Sequence, residues 1–222
     1  MTWFKFLAAG AVAPFSGHPW PAPHGQHPGD WDVWTGPREP CRSGLHVCRP
    51  EHLPLWLNEE LYAVEVAGPT DEYDTFAVTS RARLLHRVDA WSQGTAGRFS
   101  SACAWHVRDL VADALRARGH VAEAERLEDC ASIEQLAGTA DRLRAAGNGV
   151  SRLAGYTADA ATFATRAADE ARWPMSTATT GLVAARAAQE SAGAQGRDAL
   201  AAERSRQAAW LAEHVGLGEV PV

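Results

Sequence analysis

Apolar and polar positions change rhythm along this chain. Residues 3–15 form an apolar run with aromatic and β-branched members, ended at Pro14, which predicts a buried first strand. Leu61 to Ala67 alternates, with Tyr62, Val64 and Val66 on one side and Glu65 on the other, and predicts a strand ended by Gly68-Pro69. Asp71 to Asp74 reads as an acidic turn, and Phe76 with Val78 marks another short strand. Arg49 to Glu60 reads as a short helix. Pro50 suits its first turn, where the missing N–H costs nothing, and Leu53, Trp56 and Leu57 share a face. From residue 80 the period lengthens. Leu84, Leu85, Val88 and Trp91 recur at helical spacing, and Val107, Leu110, Val111, Ala114 and Leu115 do so more clearly. Ser132 with Gln135 makes a capping box for a helix carrying Ile133, Leu136, Ala140 and Leu143, which Gly147 is placed to end. Ser151 caps the next helix, read as running to Trp173 and stopped by Pro174, and helices over 177–191 and 197–215 follow.

This pattern predicts an α+β fold. Residues 1–80 form a β-rich unit with a Pro-, Trp- and His-rich loop, and residues 81–222 form an Ala-rich helical bundle packed on it. The loop spans 16–42 and cannot be helical, because proline removes a donor and clashes with the preceding turn. It carries Trp20, Trp31 and Trp34, so it is expected to be ordered and to bury indoles.

Charge and composition narrow the function classes. The net charge of −6, with no run of five basic residues, gives no general attraction to phosphate backbones, so nucleic acid is not an expected partner. No stretch reaches the ~20 apolar residues that cross a bilayer. Residues 5–13 loosely resemble a signal peptide, but one Lys and a short apolar core suit a buried strand better. The expected location is cytoplasmic. There the cysteines, Cys41, Cys48, Cys103 and Cys130, are expected as free thiols, since a chain this long needs no staples. Lys5 is the only lysine among 21 basic residues.

Several groups are candidates for chemistry. In Cys41-Arg-Ser-Gly-Leu-His-Val-Cys48, a strand after Gly44 would put His46 and Cys48 on one side, and a Cys/His pair can generate a thiolate. His18, His24, His27, Cys41, His46, Cys48 and His52 crowd together, yet their spacings fit no zinc knuckle, and no metal site is assigned. Asp30 and Asp32 flank Trp31, and two carboxylates alone do not hold a cation. Glu65, set among Leu61, Ala63 and Ala67, could be a half-buried acid. His106, Asp109 and Asp113 share a helical stripe that reads as a solvated face. Walker, GxGxxG, HExxH and GxSxG motifs are absent, and no cofactor is implied.

The segment Pro-Cys-Arg-Ser-Gly-Leu-His-Val-Cys, followed by Leu-Pro-Leu-Trp-Leu and Leu-Tyr-Ala-Val-Glu-Val-Ala-Gly, resembles a strand pattern of uncharacterised bacterial and phage proteins, over residues 40–68. It is also similar to a strand–helix–strand unit of ADP-ribosyltransferase-like folds, which would make His46 and Glu65 the candidates for that enzyme triad. The tail Glu203-Arg-Ser-Arg-Gln207-Ala-Ala-Trp210-Leu resembles bacterial immunity proteins.

Taken together, the residues predict a protein that binds or transforms a small, largely apolar molecule. Trp20, Trp31, Trp34, Trp56 and Tyr62 would line the pocket, with His46 as acid/base and Glu65 and Cys48 beside it. The alternatives are a non-catalytic interaction protein, such as an immunity or regulatory factor, and an ADP-ribosyltransferase-like enzyme.

Overall fold

The computed structural model describes residues 2–147 and 149–217. The fold is α+β, an antiparallel sheet followed by helices. The strands are β1 (Trp3–Leu7), β2 (Asp32–Val33), β3 (Leu45–Val47), β4 (Glu60–Glu72) and β5 (Ala77–Arg87). The helices are α1 (Gln93–Ala117), α2 (Val121–Glu128), α3 (Ile133–Ala146), α4 (Ser151–Arg166), α5 (Trp173–Ser191) and α6 (Gly196–Val215). No described helix is long and apolar enough to cross a membrane. The chain divides into two compact units, residues up to Ser92 with the segment from Leu211 onward, and Gln93–Trp210.

In the first unit, β4 lies between β1 and β5, and β2 and β3 share the outer edge of β5. β3 pairs with Ala77–Thr79, and β2 pairs with Arg81 and Ala82. Just past β3, the N–H and C=O of Cys48 bond those of Phe4 at 2.9 Å each way. The sheet therefore rolls until its far strand meets its first, which leaves few free edges. Period-two alternation fills the interior with Trp3, Leu7, Leu45, Val47, Tyr62, Val64, Ala82 and Leu84, and Ala11, Ala13 and Trp20 from the following loop join them. Phe6, on the other face of β1, meets Trp91 edge-on with ring centres 5.2 Å apart.

The elements depart from the sequence reading in several places. Ser151 is the first residue of α4, whose N-cap is Val150 with no side-chain cap bond. Asp71 and Glu72 belong to β4 and not to a turn. Gly68-Pro69 does not end β4. Gly68 has φ +82° and the register shifts between Ala67 and Thr70, so the pair forms a bulge and pairing resumes through Glu72. Leu84 and Leu85 belong to β5, not to a helix. Ala82 and Leu84 are fully buried while Arg81 is exposed, a strand alternation that the adjacent Leu85 disguises. The expected Arg49–Glu60 helix is a 3-10 turn over Pro50–Leu55, because Pro54 denies the ladder a donor. Pro174 starts α5 at its first turn and does not stop α4, which has already ended at Arg166.

In the helical unit, α1 packs on α4 and α5, and α3 packs on α4. Buried Ala104 and Ala112 of α1, Ala154, Ala158 and Ala161 of α4, and Ala184 and Ala188 of α5 let the axes approach closely. Ser132 caps α3 as expected. Its Oγ accepts from Gln135 N–H at 3.2 Å, while Gln135 Oε1 accepts from Ala131 N–H at 2.9 Å. Gly147, at φ +78°, closes that helix.

Gly44 is a tight point of the β unit that also has a positive φ. Its φ is +98°, and a Cβ there would lie 2.4 Å from Cγ1 of Val78 on the neighbouring strand. Gly44→Ala should cost about 1–3 kcal/mol through backbone strain and overpacking. Urea unfolding would read this as a lower midpoint, and an unchanged midpoint would mean the turn is not so constrained.

Candidate functional site

His46 lies on β3, opposite Val78. Its imidazole turns back onto the loop that precedes it. Nε2 sits 3.0 Å from Cys41 N and Nδ1 sits 3.1 Å from Gly44 O. A backbone N–H can only donate and a carbonyl can only accept, so the ring is neutral, protonated at Nδ1, with both nitrogens engaged. Burial lowers its pKa below the usual imidazole value, the bond to Gly44 opposing and the Lys5 charge adding to the shift. The imidazole lies against Phe76, ring centres 5.5 Å apart, and not against an indole or Glu65.

Cys48 and Glu65 are occupied in other ways. Cys48 is buried with its thiol 3.6 Å from Phe4 O, and burial pushes its pKa up to about 12, so it is no nucleophile at neutral pH. Glu65 accepts from Arg83 at 2.6 Å across β4 and β5. His46 pairs opposite Val78 and Glu65 opposite Arg83. β5 thus separates them, and their pairing positions lie about 16 Å apart along that strand. A β3–β4 neighbourhood, which would have joined the two side chains, is not formed.

The indoles do not converge either. Trp20 is buried in the core, where the Lys5 ammonium stands 4.9 Å from its ring centre. Trp31 lies under two guanidiniums, Arg81 at 4.3 Å and Arg83 at 4.5 Å. Trp34 is exposed, its Nε1 donating to Pro37 O at 2.9 Å. Trp56 donates to Thr75 O at 3.1 Å and meets Phe76 edge-on. Tyr62 donates to Glu60 at 3.0 Å, and that carboxylate also accepts from Ala11 N–H and Arg87, pinning the first loop to β4.

The remaining candidates scatter. His18 pairs with Asp32 at 2.5 Å. His24 and His27 are exposed and bridge each other through their backbones. His52 Nδ1 is buried without a hydrogen-bond partner among the described residues. No group of three or more His, Cys, Asp or Glu among the described residues could hold a metal ion. None of the cysteines is in a disulfide; Cys41 is exposed and Cys48, Cys103 and Cys130 are buried.

Two features of the helical unit were not legible as sites. One is a buried polar network between α1 and α6. Glu203, 3 % exposed, accepts from both ends of the Arg206 guanidinium at 2.7 Å, from Gln207 Nε2 at 2.7 Å, and pairs with His106 Nε2 at 3.1 Å. The stripe read as a solvated face thus sends His106 to a buried carboxylate, while Asp109 and Asp113 pair with the neighbouring Arg108 and Arg116. The spacing of Glu203, Arg206 and Gln207 was the available signal. The other feature is a pair of recesses. One of about 410 Å³ is lined by Arg126, Asp129, Thr139, Arg142, Leu143 and Ala146. The second, of about 570 Å³, is lined by Arg118, Arg152, Tyr156, Arg186 and Gln189 with Glu190 and Gly193.

Burial alone would raise the pKa of Glu203, but the hydrogen bonds from Arg206, His106 and Gln207 outweigh it and hold it near 2, against 4.5 for an ordinary glutamate. A depressed carboxylate stabilises the fold above its unfolded pKa, and this contribution disappears as pH falls from 4.5 through 2. The shift corresponds to about 3 kcal/mol. Glu203→Gln should lose about that much stability at pH 7 and show a flatter stability profile than the parent between pH 5 and pH 2. Chemical unfolding across that range checks it, and parallel profiles would refute it. No protein-family model, curated protein or solved structure matches the chain.

Proposed function

We propose that the protein is a non-catalytic interaction protein whose β unit offers an aromatic strip to an acidic segment of a protein partner. The observation that carries the reading is the outer face of the β2 edge. Trp31 and Val33 alternate onto one side of the chain, and Val33 pairs opposite Arg81. Trp31 lies under Arg81 and Arg83. Val33 is 57 % exposed. Arg83 is neutralised by Glu65, whereas Arg81 has no carboxylate within ion-pair distance among the described residues. Tryptophan and arginine are the residues that dominate binding hot spots, because they supply rigid apolar area and planar donors together. An exposed guanidinium stacked on an indole is already oriented for a carboxylate from outside.

The enzymatic readings draw no such support. His46, Cys48 and Glu65 are each engaged in a structural bond, and the indoles expected to line a pocket face different surroundings. The ADP-ribosyltransferase-like reading needs His46 and Glu65 together, and β5 runs between their strands.

A photoreactive benzoylphenylalanine placed at Val33 tests the proposal in the native host. Irradiation should yield a covalent adduct with one protein, at an acidic peptide. The adduct should vanish in Arg81→Glu and be absent when the probe replaces exposed Phe15, with melting temperatures unchanged. An adduct that survives Arg81→Glu, or no adduct at all, would overturn it.

A further inference from the structure

The recess of about 570 Å³ in the helical unit concentrates positive charge where the chain as a whole is negative, −6 over 222 residues. Three helices build it. Arg118 follows the C-terminus of α1, Arg152 and Tyr156 stand one turn apart on α4, and Arg186, Gln189 and Glu190 occupy the last turns of α5. Among the described residues, Glu190 is the only carboxylate in the lining. Its Oε2 takes Arg152 at 2.8 Å. Among the described residues, Arg118 reaches the Glu190 backbone carbonyl at 3.5 Å, and Arg186 reaches the neutral Gln189 Oε1 at 2.8 Å. Neither Arg118 nor Arg186 has a carboxylate within ion-pair distance among the described residues. A fourth guanidinium, Arg204 of α6, is near enough for Arg186 to lower its pKa, though burial is the larger cause.

Like charges gathered around one concavity raise the free energy of the fold unless something neutralises them. A ligand carrying two negative charges would balance the two uncompensated guanidiniums. Tetrahedral oxyanions also match the guanidinium fork, which can donate two parallel N–H bonds. Tyr156 of α4 and Gln189 of α5 are further polar residues in the lining. We infer that this recess is a binding site for a free phosphate-bearing small molecule, held by Arg118, Arg152 and Arg186. Bound there, it would join α1, α4 and α5 through one anion. The inference is independent of the β2 strip, whose residues all lie in the first unit.

Inorganic pyrophosphate is the probe. Calorimetric titration of the full-length protein, at ionic strength matched with chloride, should give one saturable site per chain, and the melting temperature should rise with occupancy. Arg186→Gln and Arg118→Gln change exposed side chains, so both variants should fold, with ligand-free melting temperatures equal to or above the parent's as repulsion is relieved. Each should bind pyrophosphate about tenfold more weakly or worse, the loss expected for a charged hydrogen-bond donor. Arg142→Gln, in the other recess, should bind like the parent. Three outcomes would overturn the inference. They are no saturable heat, equal binding by parent and Arg186→Gln, and a pyrophosphate response lost equally in Arg142→Gln. A fourth separates the sources of phosphate. Tighter, Arg186-dependent binding to vesicles containing phosphatidylglycerol than to pyrophosphate would place the phosphate on a lipid and refute a free ligand.

Discussion

Strand β1 is bonded along both edges, and the β unit depends on that. On one side Trp3 to Leu7 runs antiparallel to Glu60–Val64. On the other, Phe4 and Cys48 exchange both backbone hydrogen bonds. The only lysine of the chain then reaches across the same seam, Lys5 Nζ donating to His46 O at 2.6 Å. Burial lowers its pKa to about 8, opposed by Cys48 and Asp32, so at neutral pH it closes the seam as a half-buried cation. His46 completes the closure from within its own loop, its ring fixing Cys41 and Gly44. The residues with the most reactive chemistry in the first half of the chain are therefore the ones that hold its sheet shut.

This also explains what could be read from the sequence. The α+β order, the alternation of Tyr62, Val64 and Val66, the Ser132 cap and the Gly147 stop rest on local periodicity and capping, which a single segment expresses. The extent of β4 and β5 does not. Gly68-Pro69 looks like a terminator and becomes a bulge only because β5 continues alongside it. The His46–Glu65 pairing failed for a related reason. Strand order is non-local, and inserting β5 between β3 and β4 sends Glu65 to Arg83. The Arg118–Arg152–Arg186 recess left no trace in the sequence, because its members lie more than thirty residues apart and meet only through the packing of α1, α4 and α5.

The two halves thus divide the chemistry differently from what residue type alone suggests. In the first, His46, Cys48 and Lys5 are held in structural contacts, while Trp31 stacks under Arg81 and Arg83 at the β2 edge. In the helical unit, one buried carboxylate anchors α6 to α1 through Arg206, His106 and Gln207, while other arginines stand around an open recess.

The central claim, that His46 is a fixed structural element and not an acid or base, is tested most directly by nitrogen-15 NMR of its imidazole across a pH titration. The expected result is a single neutral tautomer protonated at Nδ1, an apparent pKa below 6.5, and slow exchange of the Cys41 amide that bonds Nε2. A ring that titrates at or above that value, with its proton exchanging between the two nitrogens, would show an imidazole free to move protons and would contradict the account.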